Sequence, residues 1–422
     1  MEKNNIFPID KSYLHFSLKC LSFLGVWNPY KKGLKYWIYQ AYWAYVVNVI
    51  MAMRLMNTIV LLINAENSLQ FLQQFSLFCV ITANIIIYIA FLSHRVEVWK
   101  LAGSFNWERY LPGTEEITHY RNRVLANGLR TSKTFTMSIG FAVIPYFIFS
   151  YYAIFCEADY EVGIIFNSWI LVAPMKYSLI LTNFWVAFVI DYIYFVVLGL
   201  IAVIHNAFIM SVMINVKGQF KILNFRLERC HMTTCKIRDD AENNEDSDVV
   251  HFEYVERKIS DESLSLNPNE QLINCIKLHQ QILRISQLFK NIYDNVLLPQ
   301  LLISLLLITV PLLQMVLGKD GDHTDSVVAV EFLIPVILQL LTLCWGGNLS
   351  LIESDKSSNS LYEAHCYERD KEFRDNAKIF LGAVKNSLII SAGGLYDLSA
   401  VTFKNLLSKA YSGVAVLKNL NE

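Results

Sequence analysis

Long uncharged runs alternate with short charged segments along this chain of 422 residues. A helix needs about 20 apolar residues to cross hydrocarbon, and six stretches meet that plainly. Only Arg54 is charged between Lys35 and Glu66, and nothing is between Glu66 and His94 or between Lys133 and Glu157. Asp191 alone interrupts the run from Lys176 to Lys217, so this fourth helix is longer than the membrane and projects beyond it. Val296 to Leu317 and Phe332 to Ile352 supply the fifth and sixth spans. Pro145, Pro299, Pro311 and Pro335 fall in or at these helices, where neighbouring helices satisfy the freed carbonyls. The seventh stretch, Asn386 to Leu417, differs: it carries Asp397, Lys404 and Lys409, with Gly393 and Gly394 before the helical run. Each central lysine against lipid costs about 2.5–3.5 kcal/mol on lenient scales, so this helix faces protein or water. The pattern predicts an all-α membrane protein with seven transmembrane helices.

Basic residues near span ends are retained in the cytoplasm. Residues 1–34, 93–132, 214–281 and 353–392 hold 5, 6, 9 and 6 of them, whereas 64–69, 156–178, 318–326 and 418–422 hold 0, 1, 1 and 1. The amino terminus is therefore expected inside and the carboxyl terminus outside. On the inner side, Leu272, Ile276, Leu283 and Leu288 alternate with Lys277, Arg284 and Lys290 over 270–295, which starts the fifth helix well below the membrane. Residues 354–380, with Leu361, Ala364, Phe373 and Phe380 among charges, predict another amphipathic helix. Together these pack as an intracellular helical body. The acidic run Asp239 to Asp248 is too polar to fold alone and reads as a mobile loop. The absence of an internal repeat counts against a secondary transporter.

Composition narrows the class. Charged residues make up 17% and hydrophobic ones 54%, against roughly 25% charged in soluble domains. The net charge of −1 argues against a nucleic-acid partner. Met1 to Ile38 has no apolar core ending in small residues, so the first span itself directs insertion. Of eight cysteines, only Cys156 lies just outside; Cys20, Cys230, Cys235, Cys275 and Cys366 face a reducing compartment, and no structural disulfide is expected. Cys230, His231 and Cys235 make half a metal site with no second ligand pair nearby, so no metal is expected. Phosphate-cradling glycine loops, zinc helices and nucleophile elbows are absent, so neither an enzyme nor a cofactor is expected.

Aromatic residues crowd the outer halves of the third and fourth spans. Phe147 and Tyr151 are four apart; Trp185, Phe188 and Tyr192 run at three and four, so each set occupies one helical face. With Phe75, Phe78 and Thr82 of the second span and Phe332, Pro335 and Gln339 of the sixth, they line an apolar cavity with few polar handles, or else form an interfacial belt. Such a lining suits a neutral small organic ligand. Asp191 binds a cation or pairs with Arg54 or nearby tyrosines, the structural role being favoured. Asp397 and Lys404 are seven apart on one face of the last helix, with Lys409 on another. Val414 and Leu417, three apart near its outer end, form either an apolar constriction that gates by dewetting or a lipid-facing patch.

The segment SAGGLYDLSAVTFKNLLSKAYSGVAVL, Ser391 to Leu417, resembles the carboxyl-terminal signature of insect odorant receptors. Gly393 and Gly394 stand at the family's turn, Leu398 and Ser399 at its leucine-serine pair, Phe403 at its phenylalanine, and Tyr411 and Ser412 at its tyrosine-serine pair. The cytoplasmic helix departs from the family, with Tyr362 and Tyr367 reproducing its aromatics in part and Asp370 standing where a tryptophan is common. The resemblance implies a ligand-gated non-selective cation channel of four subunits, a heterotetramer with an odorant co-receptor, in the plasma membrane of sensory neurons. It implies a pore lined by the seventh helix, Val414 at the gate, Leu417 and Lys418 at the outer mouth, and an odorant pocket in the outer half of the bundle. Co-receptors are polar and uncharged at that mouth, and a ring of four lysines would repel cations, so Leu417 and Lys418 favour an odorant-specific tuning subunit. The alternatives are a gustatory-type channel of the same superfamily and a G-protein-coupled receptor, which requires the opposite orientation. The expected division is a cytoplasmic segment 1–34, helices 1 to 4 with the pocket at 35–213, a cytoplasmic loop and the start of helix 5 at 214–295, helices 5 and 6 at 296–352, the cytoplasmic anchor helix at 353–392, and the pore helix with its tail at 393–422.

Overall fold

The computed structural model describes residues 14–23, 33–43, 50–65, 68–105, 111, 115–156, 184–230, 267–317, 323–364 and 369–421. In chain order they form α1 (His15–Phe23), α2 (Leu34–Trp43), α3 (Ile50–Ile63), α4 (Ser68–Ser93), α5 (Arg95–Ser104), α6 (Glu115–Cys156), α7 (Phe184–Glu228), α8 (Pro268–Leu317), α9 (His323–Glu363), α10 (Lys371–Val384), the two-residue strands β1 (Ser391–Ala392) and β2 (Tyr396–Asp397), and α11 (Ala400–Asn421). Among the described residues, stretches of α4, α7, α8 and α9 are long and apolar enough to cross a membrane. The all-α membrane architecture expected from the apolar runs is what the chain adopts.

At 1.5 Å per residue, the 45 residues of α7 and the 50 of α8 reach about 65–75 Å, more than twice the roughly 30 Å of hydrocarbon. The projecting fourth helix and the early start of the fifth are thus both present. Helix α7 is the hub: α1, α4, α6, α8 and α9 all pack on it. Its Phe208, Ile209, Val212, Phe220, Leu223 and Leu227 are buried, an apolar surface interspersed with a few buried polar residues and with helices on several sides. Helix α8 runs through Pro299 and Pro311, and α9 through Pro335.

Several expectations are corrected. The amphipathic segment 354–380 is not one separate helix: its first part continues α9 to Glu363, and α10 begins at Lys371. The apolar side of α10, Phe373, Ala377, Phe380 and Val384, is buried against α8 and α9. Helix α6 starts at Glu115, well before the apolar run at Lys133, because α7 extends equally far and offers a packing partner. Asp397 shares no helical face with Lys404. It lies in β2, where Ser391 pairs with Asp397 and Ala392 with Tyr396. A two-stranded hairpin of this length leaves no period-two signal, so it was invisible in the pattern. The acidic run Asp239 to Asp248 and the side chains of Arg54 and Asp191 lie outside what is described.

The hairpin seats the last helix. Its turn needs positive φ at Gly393 (60°) and Gly394 (67°), a region closed to most side chains. Gly393 also has no room: a Cβ there would stand 2.7 Å from Leu298 Cδ2 of α8, and its N–H donates to the Asp294 carbonyl at 3.2 Å. On the other side, Gly347 of α9 lets the Leu398 backbone approach so closely that an added Cβ would overlap its carbonyl oxygen.

Candidate functional site

The expected cavity draws on four helices, and α7 packs against the other three, α4, α6 and α9. On α4, Phe75, Phe78 and Thr82 are half-buried. Phe75 stacks on Phe71, rings 6.2 Å apart and 9° from parallel. The Thr82 hydroxyl donates to the Phe78 carbonyl at 2.8 Å, which saturates its donor locally and leaves an oxygen lone pair as its handle. On α9, Phe332 and Gln339 are also half-buried, and Thr342 donates to the Gln339 carbonyl at 2.7 Å. Phe75 and Phe332 both pack against the buried core. Phe147 and Tyr151 lie on α6, and Trp185, Phe188 and Tyr192 on α7, as expected, but their side chains fall outside the described set.

Helix α11 has two contrasting faces. Leu406, Ala410 and Val414, one every four residues, are buried where the helix packs on α8 and α9. Val401, Lys404, Ser408, Lys409, Tyr411, Ser412, Ala415 and Val416 are exposed. Val414 therefore sits on the packed stripe of the single chain, with Thr309 of α8 close to the neighbouring Gly413. Leu417 and Lys418 continue the helix, their side chains undescribed. The signature residues acquire physical roles. Leu398 is buried and donates its N–H to the Ile390 carbonyl at 2.8 Å. The Ser399 hydroxyl accepts the Thr402 N–H at 3.2 Å, an N-cap contact worth about 1 kcal/mol. The leucine plugs the helix start into the bundle and the serine begins the helix.

Sequence reading missed the polar ties inside the bundle. Gln300 of α8 donates to Asn206 of α7 at 2.8 Å, with both buried. Lower on α7, Asn224 donates to the Glu353 carbonyl at 3.0 Å and accepts from Ser357 at 2.7 Å, while Ser360 donates to Glu228 at 3.0 Å. Tyr120 of α6 stacks on Phe225 at 3.9 Å, and Arg229 covers that ring at 3.5 Å while holding Glu116 at 2.8 Å. Burial in the stack, then the carboxylates of Glu228 and Glu353, push the Tyr120 phenol above its ordinary value. In the polar half of α8, burial holds His279 below the ordinary imidazole value, edge-on to Phe380 of α10 at 5.4 Å. The missed signal was a polar residue on each of two apolar helices, which only contact can pair. Cys230 and Cys275 sit as thiols 3.7 Å apart, and among the described residues no cluster of three metal-ligating side chains occurs.

The family model described as 7tm Odorant receptor matches residues 67–411. The chain is 22% identical to Odorant receptor 42b of Drosophila melanogaster over 170 residues, 40% of this chain and 42% of that protein. It is 20% identical to Odorant receptor 22b of the same insect over 200 residues, 47% and 46% of the two chains. The chain thus spans less than half the length of these curated relatives. Among solved structures, the insect olfactory receptor OR5 from Machilis hrabei in complex with eugenol superposes with a TM-score of 0.71, covering 97% of this chain and 98% of that one at 12% identity. A second structure of that receptor gives 0.70, 96% and 98% at 13%. At such identities the likeness establishes the fold. A receptor architecture of this kind, matched by a family model over most of its length, makes the assignment plain: the chain is a membrane protein that belongs to the 7tm odorant receptor family.

Proposed function

We propose that this chain is the tuning subunit of a ligand-gated, non-selective cation channel. It shares a tetrameric pore with co-receptor copies in the plasma membrane of sensory neurons, with the amino terminus inside and the carboxyl terminus outside. The observation that carries this reading is the exposed face of α11, where Lys404, Ser408 and Ser412 are open, while the Lys409 ammonium lies over the Tyr396 ring at 5.8 Å. Lipid against that face is costly; a water column lined by four such helices is not. The gate lies at the turn holding Val414 and Leu417, with Lys418 at the mouth. Because Val414 packs inward in the single chain, its use as the constriction involves a rotation of α11; Ala415 and Val416 are apolar side chains aimed away from the bundle at this level. The segment boundaries given for the inner and outer parts of the chain belong to the same proposal.

The ligand is a neutral volatile organic molecule held in the outer half of the bundle by Phe75, Phe78, Thr82, Phe147, Tyr151, Trp185, Phe188, Tyr192, Phe332 and Gln339. Eugenol, held by the Machilis receptor, is of that chemical kind. Ligand binding opens the pore by favouring the open state over the closed one. The test is whole-cell current from cells expressing this chain with and without an odorant co-receptor, over a panel of volatile esters, alcohols, aldehydes and phenols. Odorant-evoked current only with the co-receptor supports the proposal. Odorant signalling that survives complete block of ion flux rejects it in favour of a G-protein-coupled mechanism, as does an epitope at residue 422 that stays unlabelled on intact cells.

A further inference from the structure

We propose that Lys217, Lys221 and Lys356 form a binding site for the polyphosphate head group of an anionic membrane lipid of the phosphoinositide class. Lys217 and Lys221 lie one turn apart on α7, and Lys356 lies across from them on α9. The Glu353 carboxylate stands between, 3.8 Å from the Lys221 ammonium and 3.4 Å from that of Lys356. It is nearly buried, whereas the two lysines keep 40% and 55% of their side chains open. Lys217 feels the charges of Lys221, Glu353 and Lys356 together. On α6, Val124 packs at Gly218, and the charge of the neighbouring Arg123 opposes that of Glu353 at Tyr120. Three basic groups, Lys217, Lys221 and Lys356, therefore act on one carboxylate. The adjacent charges are already engaged, Arg229 by Glu116 and Glu228 by Ser360.

The framework is built rather than fluid. Asn224 holds the Glu353 carbonyl and Ser357 holds Asn224, so the helix turns carrying the lysines are fixed relative to each other. Lysines one turn apart, about 5–6 Å between Cβ atoms, match two phosphates on one inositol ring, and ammonium groups bind phosphate as point charges. The position selects a lipid over a soluble phosphate. The apolar run of α7 ends at Lys217 and that of α9 at Ile352, so the cluster lies at the head-group level. Above Lys356 on the same side of α9, Leu341, Trp345 and Ile352 are exposed, an apolar stripe for acyl chains that leads down to the lysines. The assignment to the cytoplasmic leaflet rests on the topology proposed above; binding itself does not.

The test uses the full chain in detergent and fluorescent dioctanoyl phosphatidylinositol bisphosphate, read by polarisation, with dioctanoyl phosphatidylserine and free inositol trisphosphate as competitors. The triple variant Lys217→Gln, Lys221→Gln, Lys356→Gln is expected to bind at least about tenfold more weakly, and Lys356→Gln alone about fivefold more weakly. Glu353→Gln, which removes the competing carboxylate, is expected to bind more tightly than the unaltered chain. The latter two keep the proposal testable if the triple variant fails to fold. Unchanged affinity in Lys356→Gln together with no gain in Glu353→Gln overturns the site. Equal displacement by phosphatidylserine overturns the head-group class, and inositol trisphosphate binding as tightly as the lipid overturns the lipid as its source.

Discussion

The junction of α7, α8, α9 and α10 and the outward face of α11 are built on opposite terms. At the junction the chain satisfies itself: Leu272, Leu278, Phe289, Phe373 and Phe380 are each at most 2% exposed, and Asn224, Ser357 and Ser360 close hydrogen bonds between helices. Helix α11 is fastened on one side only, and its Val401, Tyr411 and Val416 remain 66%, 73% and 60% exposed. Side chains at the junction answer to packing within one chain. Those on the open face of α11 contribute little to packing within the chain, so substitutions in the two places register in different measurements.

The largest effect is expected at the fastening between the two regions. Gly393→Val meets both a positive φ and Leu298, and costs about 2–5 kcal/mol; size-exclusion of a fluorescent fusion should show loss of the monodisperse peak. If the variant stays monodisperse, the hairpin is not what seats α11. Next, Ser399→Ala removes the cap of α11 and costs about 1 kcal/mol, seen as faster hydrogen exchange at residues 400–404 with the junction unaffected. A smaller change is expected from pH. His279 binds its proton less readily folded than unfolded, so the unfolded chain holds more protons between the depressed value and the ordinary 6.5. Stability is then full above about 6.5 and falls as the pH drops through that window. Exchange in α10 should quicken on acidification, and His279→Phe should abolish that dependence. On the open face, Ser408→Ala should move stability by no more than about 0.5 kcal/mol, while altering single-channel conductance with the co-receptor present. A stability loss as large as that of Ser399→Ala would show that this face is packed after all.

The helices were legible because each rests on a local quantity. Uncharged length announces a span, and the charges Lys404 and Lys409 set the last helix apart from the others. The region 354–384 is less legible, because amphipathic periodicity continues across 354–380 and does not show that α9 carries on to Glu363 while α10 is a separate helix. A two-residue strand has too few positions to show its period, so local pattern alone does not separate Asp397 from the helix that follows. The candidate pocket was legible only as helix faces: Phe75, Phe78 and Thr82 share one by spacing, but that α7 is the helix touching α4, α6 and α9 at once is a fact of packing.

By itself the sequence marked which stretches are apolar enough to be membrane helices, since that depends on partition between water and hydrocarbon, residue by residue, and it carried the family signature of residues 391–417. Only the tertiary structure decided that Val414 turns toward α8 and α9, that Glu353 stands between lysines of two helices, and that Gln300 meets Asn206. Those outcomes depend on the rotation of each helix about its axis. Contacts between distant segments set that rotation, and no local window of sequence contains them.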